Sequence, residues 1–436
     1  HFTYLAGVAR NSHRYANRPA LHDPASGRRW TYAELWDDAG RLAAALPFAE
    51  LIAGDPMNGL PEGMSTYDET TRLYTSGTTG MPKGVSLSGI VDVLSAHDVI
   101  MHFPLSPEDR TLNMTPWFHR GGLYSGGPNP VLYCGAQSVA LRQFDPATVL
   151  DWVQEHALTF LIGAPTSLAM LTAEQSTRPR DLSSLNGIVT MGAPLDREAC
   201  LRYQETLTPR IFNGYGTTEA FWNTFLRPTD LPAHAGSAGR ACTDDDVAVV
   251  KIYEDRHADP GDHAAKDGTE VGEVAVRSVK SGYAYVNQPE EQAARFRDGW
   301  LYIGDLATWD EDEYVTIVGR KDDMIISGGE NVHPTQVEAV LAEHPQVADA
   351  AVVGLPDERW GELVVAYVVP SGDPEQLDAA ACEAHCNGHP MLAGYKRPRA
   401  YRFVTELPMT ATGKKMHYQL REQASRDAAQ GLFQRP

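Results

Sequence analysis

The sequence predicts an α/β protein. It has a large N-terminal domain of parallel or mixed sheets with helices, a β subdomain at the end of that domain, and a small α/β domain after it. Three observations carry this. From residue 86 onward, apolar β-rich runs such as 158–165 and 186–194 alternate with helical stretches, the pattern of strands covered by crossover helices. Residues 235–318 are richer in short strands, for example 246–253 and 270–276. After the glycine-led, charged joint Gly319-Arg320-Lys321-Asp322-Asp323 come a helix over 335–343 and strands over 347–355 and 362–369. That is a compact unit of about 100 residues, an ordinary domain size. The division therefore falls near Asp322, giving domains 1–321 and 322–436. In a sheet of this kind ligands gather beyond the C-terminal ends of the strands.

The opening residues 1–46 read as a helix, a turn-rich strand pair and a second helix. Thr31 caps that second helix and Glu34, three residues on, completes a capping box. The chain has 436 residues, 42% hydrophobic and 22% charged, ordinary values for a globular protein of two or three domains. A net charge of −20 argues against nucleic-acid or anionic-membrane partners. No apolar run is long enough to span a bilayer, and the first residues lack a signal-peptide pattern. The start at His1 rather than Met reads as trimmed or incompletely recorded. Cys134, Cys200, Cys242, Cys382 and Cys386 are scattered and odd in number, which points to reduced thiols in the cytoplasm. Cys382, His385, Cys386 and His389 share a helical face, but they lack the paired spacing of structural zinc sites; a helix end packed on the small domain is the better reading.

Five segments carry chemistry. Thr75-Ser76-Gly77-Thr78-Thr79-Gly80-Met81-Pro82-Lys83-Gly84 combines glycines, hydroxyls and one lysine. Glycines let backbone N–H groups turn toward an anion, so this is a loop for nucleotide phosphates, though not with P-loop spacing. Thr115 to Gly122 brings Trp117, Phe118, His119 and Arg120 together. Asn213-Gly214-Tyr215-Gly216-Thr217-Thr218-Glu219 offers glycines for close approach to a flat base, a ring to stack on it, a hydroxyl and a hard oxygen ligand. Asp305 follows a strand and Gly304. Lys414 follows Gly413 and places an ammonium where negative charge can develop on a phosphate.

In this order the segments resemble the acyl-adenylate-forming superfamily, in particular its acyl-CoA and aryl-CoA ligases of the benzoate type. The resemblance implies a mobile small domain and the cofactors ATP, Mg²⁺ and coenzyme A. It implies Lys414 as the adenylation lysine, Thr218 on the α-phosphate, Glu219 toward Mg²⁺, and His119 as a gate between acyl pocket and thiol tunnel. Gly192, Ala193 and Pro194 would face Tyr215 across adenine. Asp305 and Arg320 would hold the ribose, and Asp322 would be the hinge. Gly328, Gly329, Trp360, Tyr395, Lys396 and Arg397 would meet coenzyme A. Members that activate amino acids carry an Asp where this chain has His119.

Trp117, Phe118, Phe221 and Trp222 put aromatic bulk near the acyl site, with Gly214 and Gly216, and suit a flat aryl acid. Arg120 is unusual at its position. It either pairs with a second polar group on the substrate or pins a loop backbone. The chain also departs from the family: only the 28 residues 47–74 separate the second helix from the phosphate loop, where the family has a longer α/β segment, so a stretch at 46–47 reads as missing. The expectation is thus a cytoplasmic ligase acting on a small carboxylic acid, possible as a homodimer. The alternatives are a medium-chain or dicarboxylic acyl-CoA ligase, an enzyme loading a carrier-protein thiol, and a non-catalytic nucleotide-binding protein.

Overall fold

The computed structural model describes residues 3–44, 63, 65–75, 83–253, 256–281, 285–372, 377–390, 392–410 and 414–436. The expected gap at 46–47 lies outside them. A nine-stranded mixed sheet forms the body of the N-terminal domain. In spatial order its strands are Arg240–Ala241, Phe221–Leu226, Ile211–Thr217, Gly187–Met191, Phe160–Gly163, Arg110–Asn113, Gln137–Val139, Pro19–Asp23 and Arg28–Thr31. From Ile211–Thr217 to Pro19–Asp23 every pairing is parallel, and the edges are antiparallel. The strand Phe160–Gly163 is wholly buried, as a parallel strand covered on both faces must be. One core gathers Val91, Val99, Phe103, Phe160, Phe212 and Trp222; another gathers Leu150, Leu161, Leu168, Ile188, Cys200 and Ile211.

The opening elements follow the sequence reading. Thr31 N–H donates to Glu34 Oε2 (2.8 Å) and Glu34 N–H donates to Thr31 Oγ1 (3.2 Å), the reciprocal pair of a capping box. The strand Pro19–Asp23 is more than half of a local hairpin. It joins the large sheet through Leu21 opposite Ser138, a long-range pairing no local pattern announces.

The β subdomain is a five-stranded sheet containing Asp245–Val250, Gly272–Ser278, Phe296–Arg297, Trp300–Trp309 and Val315–Arg320. The first of these stops at Val250, short of the expected residue 253, because the next amide, Lys251 N–H, turns to Asp262 O (2.8 Å). The hairpin Glu69–Thr75 with Lys83–Ser88 brackets the phosphate loop. A short 3₁₀ turn, Lys321–Asp323, leads from the β subdomain into the last sheet. There Val347–Asp357 and Gly361–Pro370 form a long antiparallel pair, joined by Ile325–Ser327, Glu330–Val332 and the parallel strand Ala400–Phe403. Helix Ala379–Gly388 buries Cys382 and Cys386 in that domain's core, while His385 reaches Val340 O and His389 pairs with Glu343. The four side chains thus diverge, in keeping with a packed helix end.

Helix His417–Ala429 follows the Lys414 segment and is anchored by a buried ion pair, His417 Nε2 to Glu338 Oε1 at 2.6 Å. Burial opposes the charge on each partner. On Glu338 the bond from His417 and the charge of Lys415 outweigh it and hold the carboxyl below its usual range; on His417 the bond to Glu338 outweighs it and raises the imidazole. The raised histidine contributes stability that is full below about pH 6.5 and is lost as pH rises through its folded value. The depressed carboxyl contributes above about pH 4.3 and is lost as pH falls through its folded value. His417→Gln should therefore cost about 3 kcal/mol near pH 5.5, and the gap to wild type in thermal melts should narrow by about pH 8.5. A gap unchanged between the two would contradict this assignment.

Candidate active site

The strand Ile211–Thr217 turns back through residues 218–220 into Phe221–Leu226, with Phe221 paired to Thr217. Phe221 closes this tight turn in the left-handed region at φ +60°, which a bulky residue adopts only under tertiary constraint. Gly216 is obligatory here, since a Cβ would stand 1.6 Å from the Phe221 carbonyl oxygen. A Cβ on Gly214 would stand 2.8 Å from Trp222 Nε1. These clearances serve the hairpin's own packing. Asn213 is buried and donates its amide to Ser237 O (3.1 Å), so it too secures the hairpin. Thr217 Oγ1 accepts from Ala220 N–H (3.2 Å). Thr218 and Glu219 are thereby carried at the tip.

Around that tip stand the other polar groups. Tyr215 O–H donates to Asp305 Oδ2 (2.7 Å), and Asp305 pairs with Arg320 across adjacent strands (3.4 Å). Burial, and then the neighbouring Asp305 charge, raise the Tyr215 phenol, which stays a neutral donor. The buried Glu219 carboxylate accepts from Tyr285 O–H (2.7 Å). Lys414 enters from the C-terminal domain. Its Cε lies 3.9 Å from where a Cβ of Gly192 would be. Its backbone is pinned by Lys414 N–H to Thr410 Oγ1 (3.0 Å) and Thr410 N–H to Lys414 O (2.8 Å). Its side chain is exposed to the cleft and faces the charged groups of the other domain. Loss of hydration at the cleft wall, with the Arg320 charge, depresses the ammonium below the ordinary lysine range against the pull of Asp305 and Glu219. Lys415 is committed elsewhere, to Asp349 (2.8 Å) and Glu338 (3.3 Å).

His119 caps the helix Arg120–Tyr124, its Nδ1 accepting from Gly121 N–H (3.1 Å). Burial first, then Lys414 and Arg120, lower the ring to about 4, so it is neutral with its proton on Nε2. Gly192, Ala193 and Pro194 are exposed on the rim. The fold thus assembles His119, Gly192, Tyr215, Glu219, Asp305, Arg320 and Lys414 from distant parts of the chain.

Other expected residues are placed differently. Of the phosphate loop, Thr75 ends a strand and Lys83 is buried and ion-paired with Glu291, its ammonium 5.7 Å from the Tyr285 ring; Ser76, Gly77, Thr78, Thr79 and Gly80 lie outside the described residues. Phe221 and Trp222 do not line a substrate pocket. They are 2% and 3% exposed and pack in the core with Phe103, Phe225 and Tyr124, because consecutive apolar residues after the turn are drawn inward on both faces of a covered strand. Trp117 is half-buried and Phe118 is 70% exposed. Arg120 is buried against the Thr218 carbonyl and Ser95.

In the C-terminal domain, the space a Gly328 side chain would need is taken by the Trp360 indole (2.9 Å), whereas Gly329 is open. Trp360 and Tyr395 are exposed; Lys396 donates to Gln336 (2.8 Å), and Arg397 pairs with Glu383 (3.0 Å). Asp322 pairs with Arg295 (3.5 Å) and accepts at its carbonyl from Arg421 (2.9 Å). Two residues escaped sequence reasoning: Tyr285, which holds Glu219, and Glu291, which holds Lys83. Neither stands in a segment whose residue types announce a site. Gly216→Ala should destabilise the protein by about 3 kcal/mol or more through the clash with Phe221, read as a lower melting temperature. A change within about 1 kcal/mol of wild type would refute this reading of the hairpin.

The AMP-binding enzyme model matches residues 61–284 and the AMP-binding enzyme C-terminal domain model matches 336–414. The chain is 38% identical over 343 residues to indoleacetate–CoA ligase of Aromatoleum aromaticum, spanning 78% of this chain and 64% of that protein's length. It is 35% identical over 417 residues to feruloyl-CoA synthase of an Amycolatopsis species, spanning 94% of this chain and 80% of that protein. The structure of the anthranilate CoA ligase AuaEII in complex with anthranoyl-AMP superposes with a TM-score of 0.85 at 25% identity, covering 98% of each chain. The chain belongs to the AMP-binding enzyme family, the acyl-adenylate-forming superfamily, and within it to the branch of acyl- and aryl-CoA ligases.

Proposed function

We propose that this chain is an AMP-forming acid–thiol ligase that activates a small carboxylic acid, an aromatic one, with ATP and passes the acyl group to coenzyme A. The observation that carries this is Lys414, delivered by the C-terminal domain into a cleft where Asp305, Arg320, Tyr215 and Glu219 converge opposite Gly192. A protein that merely bound a nucleotide would have no use for an ammonium brought to that point by a second domain.

In the first half-reaction the acid's carboxylate oxygen attacks the α-phosphorus of ATP, the bond to pyrophosphate breaks, and an acyl-adenylate forms. Lys414 stabilises the negative charge that grows on the phosphate oxygens. Thr218 donates to the α-phosphate. Asp305 and Arg320 take the ribose hydroxyls, and Tyr215 presents its ring to the base. Glu219, a hard carboxylate beside the Thr218 hydroxyl, fits Mg²⁺, which when bound neutralises phosphate charge. Neutral His119 stands between the acyl side and the thiol approach. The C-terminal domain, 322–436, then turns about Asp322, withdraws Lys414 and brings Gly328 and Gly329 to the site. The coenzyme A sulfur attacks the acyl carbonyl, AMP leaves, and Trp360, Tyr395 and Arg397 hold the nucleotide end. Arg397 must exchange its bond to Glu383 to do so.

Two relatives named for aromatic acids, indoleacetate and ferulate, support the aryl reading, as do Trp117 and Phe118 beside His119. Phe221 and Trp222 no longer contribute to it. We further propose a cytoplasmic enzyme, possible as a homodimer, without nucleic-acid or membrane partners. The charge of −20 argues against a nucleic-acid or anionic-membrane partner, and no helix among the described residues is long and apolar enough to cross a membrane.

Pyrophosphate release with Mg·ATP should appear with benzoates, cinnamates or arylacetates, yield an aryl-CoA mass on adding coenzyme A, and fall by at least about 100-fold in Lys414→Ala. Release only with octanoate or adipate would sink the aryl assignment; release with none from a folded sample would sink the ligase. Because the Lys414 ammonium is depressed, its charge is present at low pH and lost as pH rises through that lowered value. The alkaline limb of the adenylation rate should therefore lie below the ordinary lysine value of about 10.4. Lys414→Arg should move that limb to higher pH. A limb unmoved by this substitution would assign it to another group.

A further inference from the structure

The sequence leaves Arg120 between two roles, a partner for the substrate or a pin for a loop. Its guanidinium is 3% exposed and lies behind the hairpin tip. Nη1 donates to the carbonyl of Thr218, and Nη2 donates to Ser95 Oγ (3.3 Å). The guanidinium carbon stands 4.9 Å from the Phe221 ring centre and 5.3 Å from that of Tyr124. Tyr124 is itself fixed, its O–H donating to Asp92 Oδ1 (2.6 Å), while Asp92 Oδ2 accepts from Thr70 Oγ1 (2.6 Å).

We infer that Arg120 is a positioning residue for the adenylation step, which clamps the turn Thr218–Phe221 so that Thr218 and Glu219 are held ready for Mg·ATP. The clamp grips both ends of the turn. At one end it holds a carbonyl; at the other it lies over the ring of the residue whose left-handed backbone, φ +60°, closes the turn. Only Glu219 and Ala220 lie between, so the carboxylate's origin is fixed by its neighbours, and Tyr285 fixes its far end. A buried cation favours this arrangement because any drift of the turn would strip it of a carbonyl acceptor and an aromatic face. A planar fork suits the task in a way an ammonium does not, since it bonds two acceptors in its plane while stacking. The guanidinium is thereby held by a backbone carbonyl, a serine hydroxyl and two rings of the protein itself.

This rests on the ligase reading only for the identity of the nucleotide, so the test needs no acid. Calorimetric binding of Mg²⁺ with a non-hydrolysable ATP analogue, and of AMP without metal, is measured for wild type, Arg120→Met and Arg120→Lys, with melting curves alongside. The expected result is a loss of about 10- to 100-fold in Mg²⁺-dependent affinity for Arg120→Met, the range seen when a group orienting a metal ligand is removed. AMP affinity should stay within about threefold, and Arg120→Lys should recover part of the loss. Equal losses for AMP and for the Mg²⁺ complex, tracking the melting temperature, would reduce Arg120 to a packing residue and overturn the proposal. So would unchanged Mg²⁺-dependent binding in a folded variant. If Arg120→Met does not fold, Arg120→Lys alone decides, by the same split between the two ligands. Wild-type protein that binds the nucleotide yet activates no acid would sink the ligase reading and leave this comparison standing.

Discussion

The structure turns on an ammonium supplied by one domain to a cleft built by another. Lys414 belongs to the C-terminal domain, while Asp305, Glu219 and Gly192 belong to the N-terminal one. The charges of Asp305 and Glu219 draw on that ammonium from across the cleft, and each carboxylate is itself held by a tyrosine, Asp305 by Tyr215 and Glu219 by Tyr285. The adjacent Lys415 is locked to Glu338 and Asp349 within its own domain. Two neighbouring lysines therefore divide the work: one anchors the segment and the other is left to act across the cleft.

The site depends equally on a rigid hairpin. Its glycines leave no room between the strands, its turn is closed by a left-handed phenylalanine, and its back is held by a buried arginine. Such backbone conformations persist only where the surroundings over-determine them. The parallel strands beside it, Gly187–Met191 and Phe160–Gly163, are covered on both faces, so the hairpin grows from a stiff sheet. Its tip carries Thr218 and Glu219.

Much of this was legible in the residues. The alternation of strand and helix gave the fold class, and the capping box at Thr31 appeared where its spacing placed it. Asp305 and Lys414 were singled out by residue type and setting and Arg320 by the family resemblance, and they come together from separate elements. What could not be read was anything set by long-range packing. Phe221 and Trp222 look like pocket aromatics in sequence, but the covered strand draws both into the core. The packing of Trp360 against Gly328 is likewise set by the fold. Tyr285 and Glu291 orient site residues from elements remote in sequence, and only the fold brings them there. Arg120 shows the same limit: its residue type was noticed, and its direction was decided by Thr218, 98 positions away.

The account's central claim is that Lys414 serves the first half-reaction and leaves the site for the second. Single-turnover transfer from a synthetic aryl-adenylate to coenzyme A, followed in Lys414→Ala against wild type, tests it most directly. The account predicts transfer rates within about threefold of each other, since an interaction absent from a step leaves that step's barrier unchanged. A Lys414→Ala protein that is folded yet transfers the acyl group about 100-fold more slowly would show that the ammonium stays in the site throughout, and would contradict the alternation between the domains.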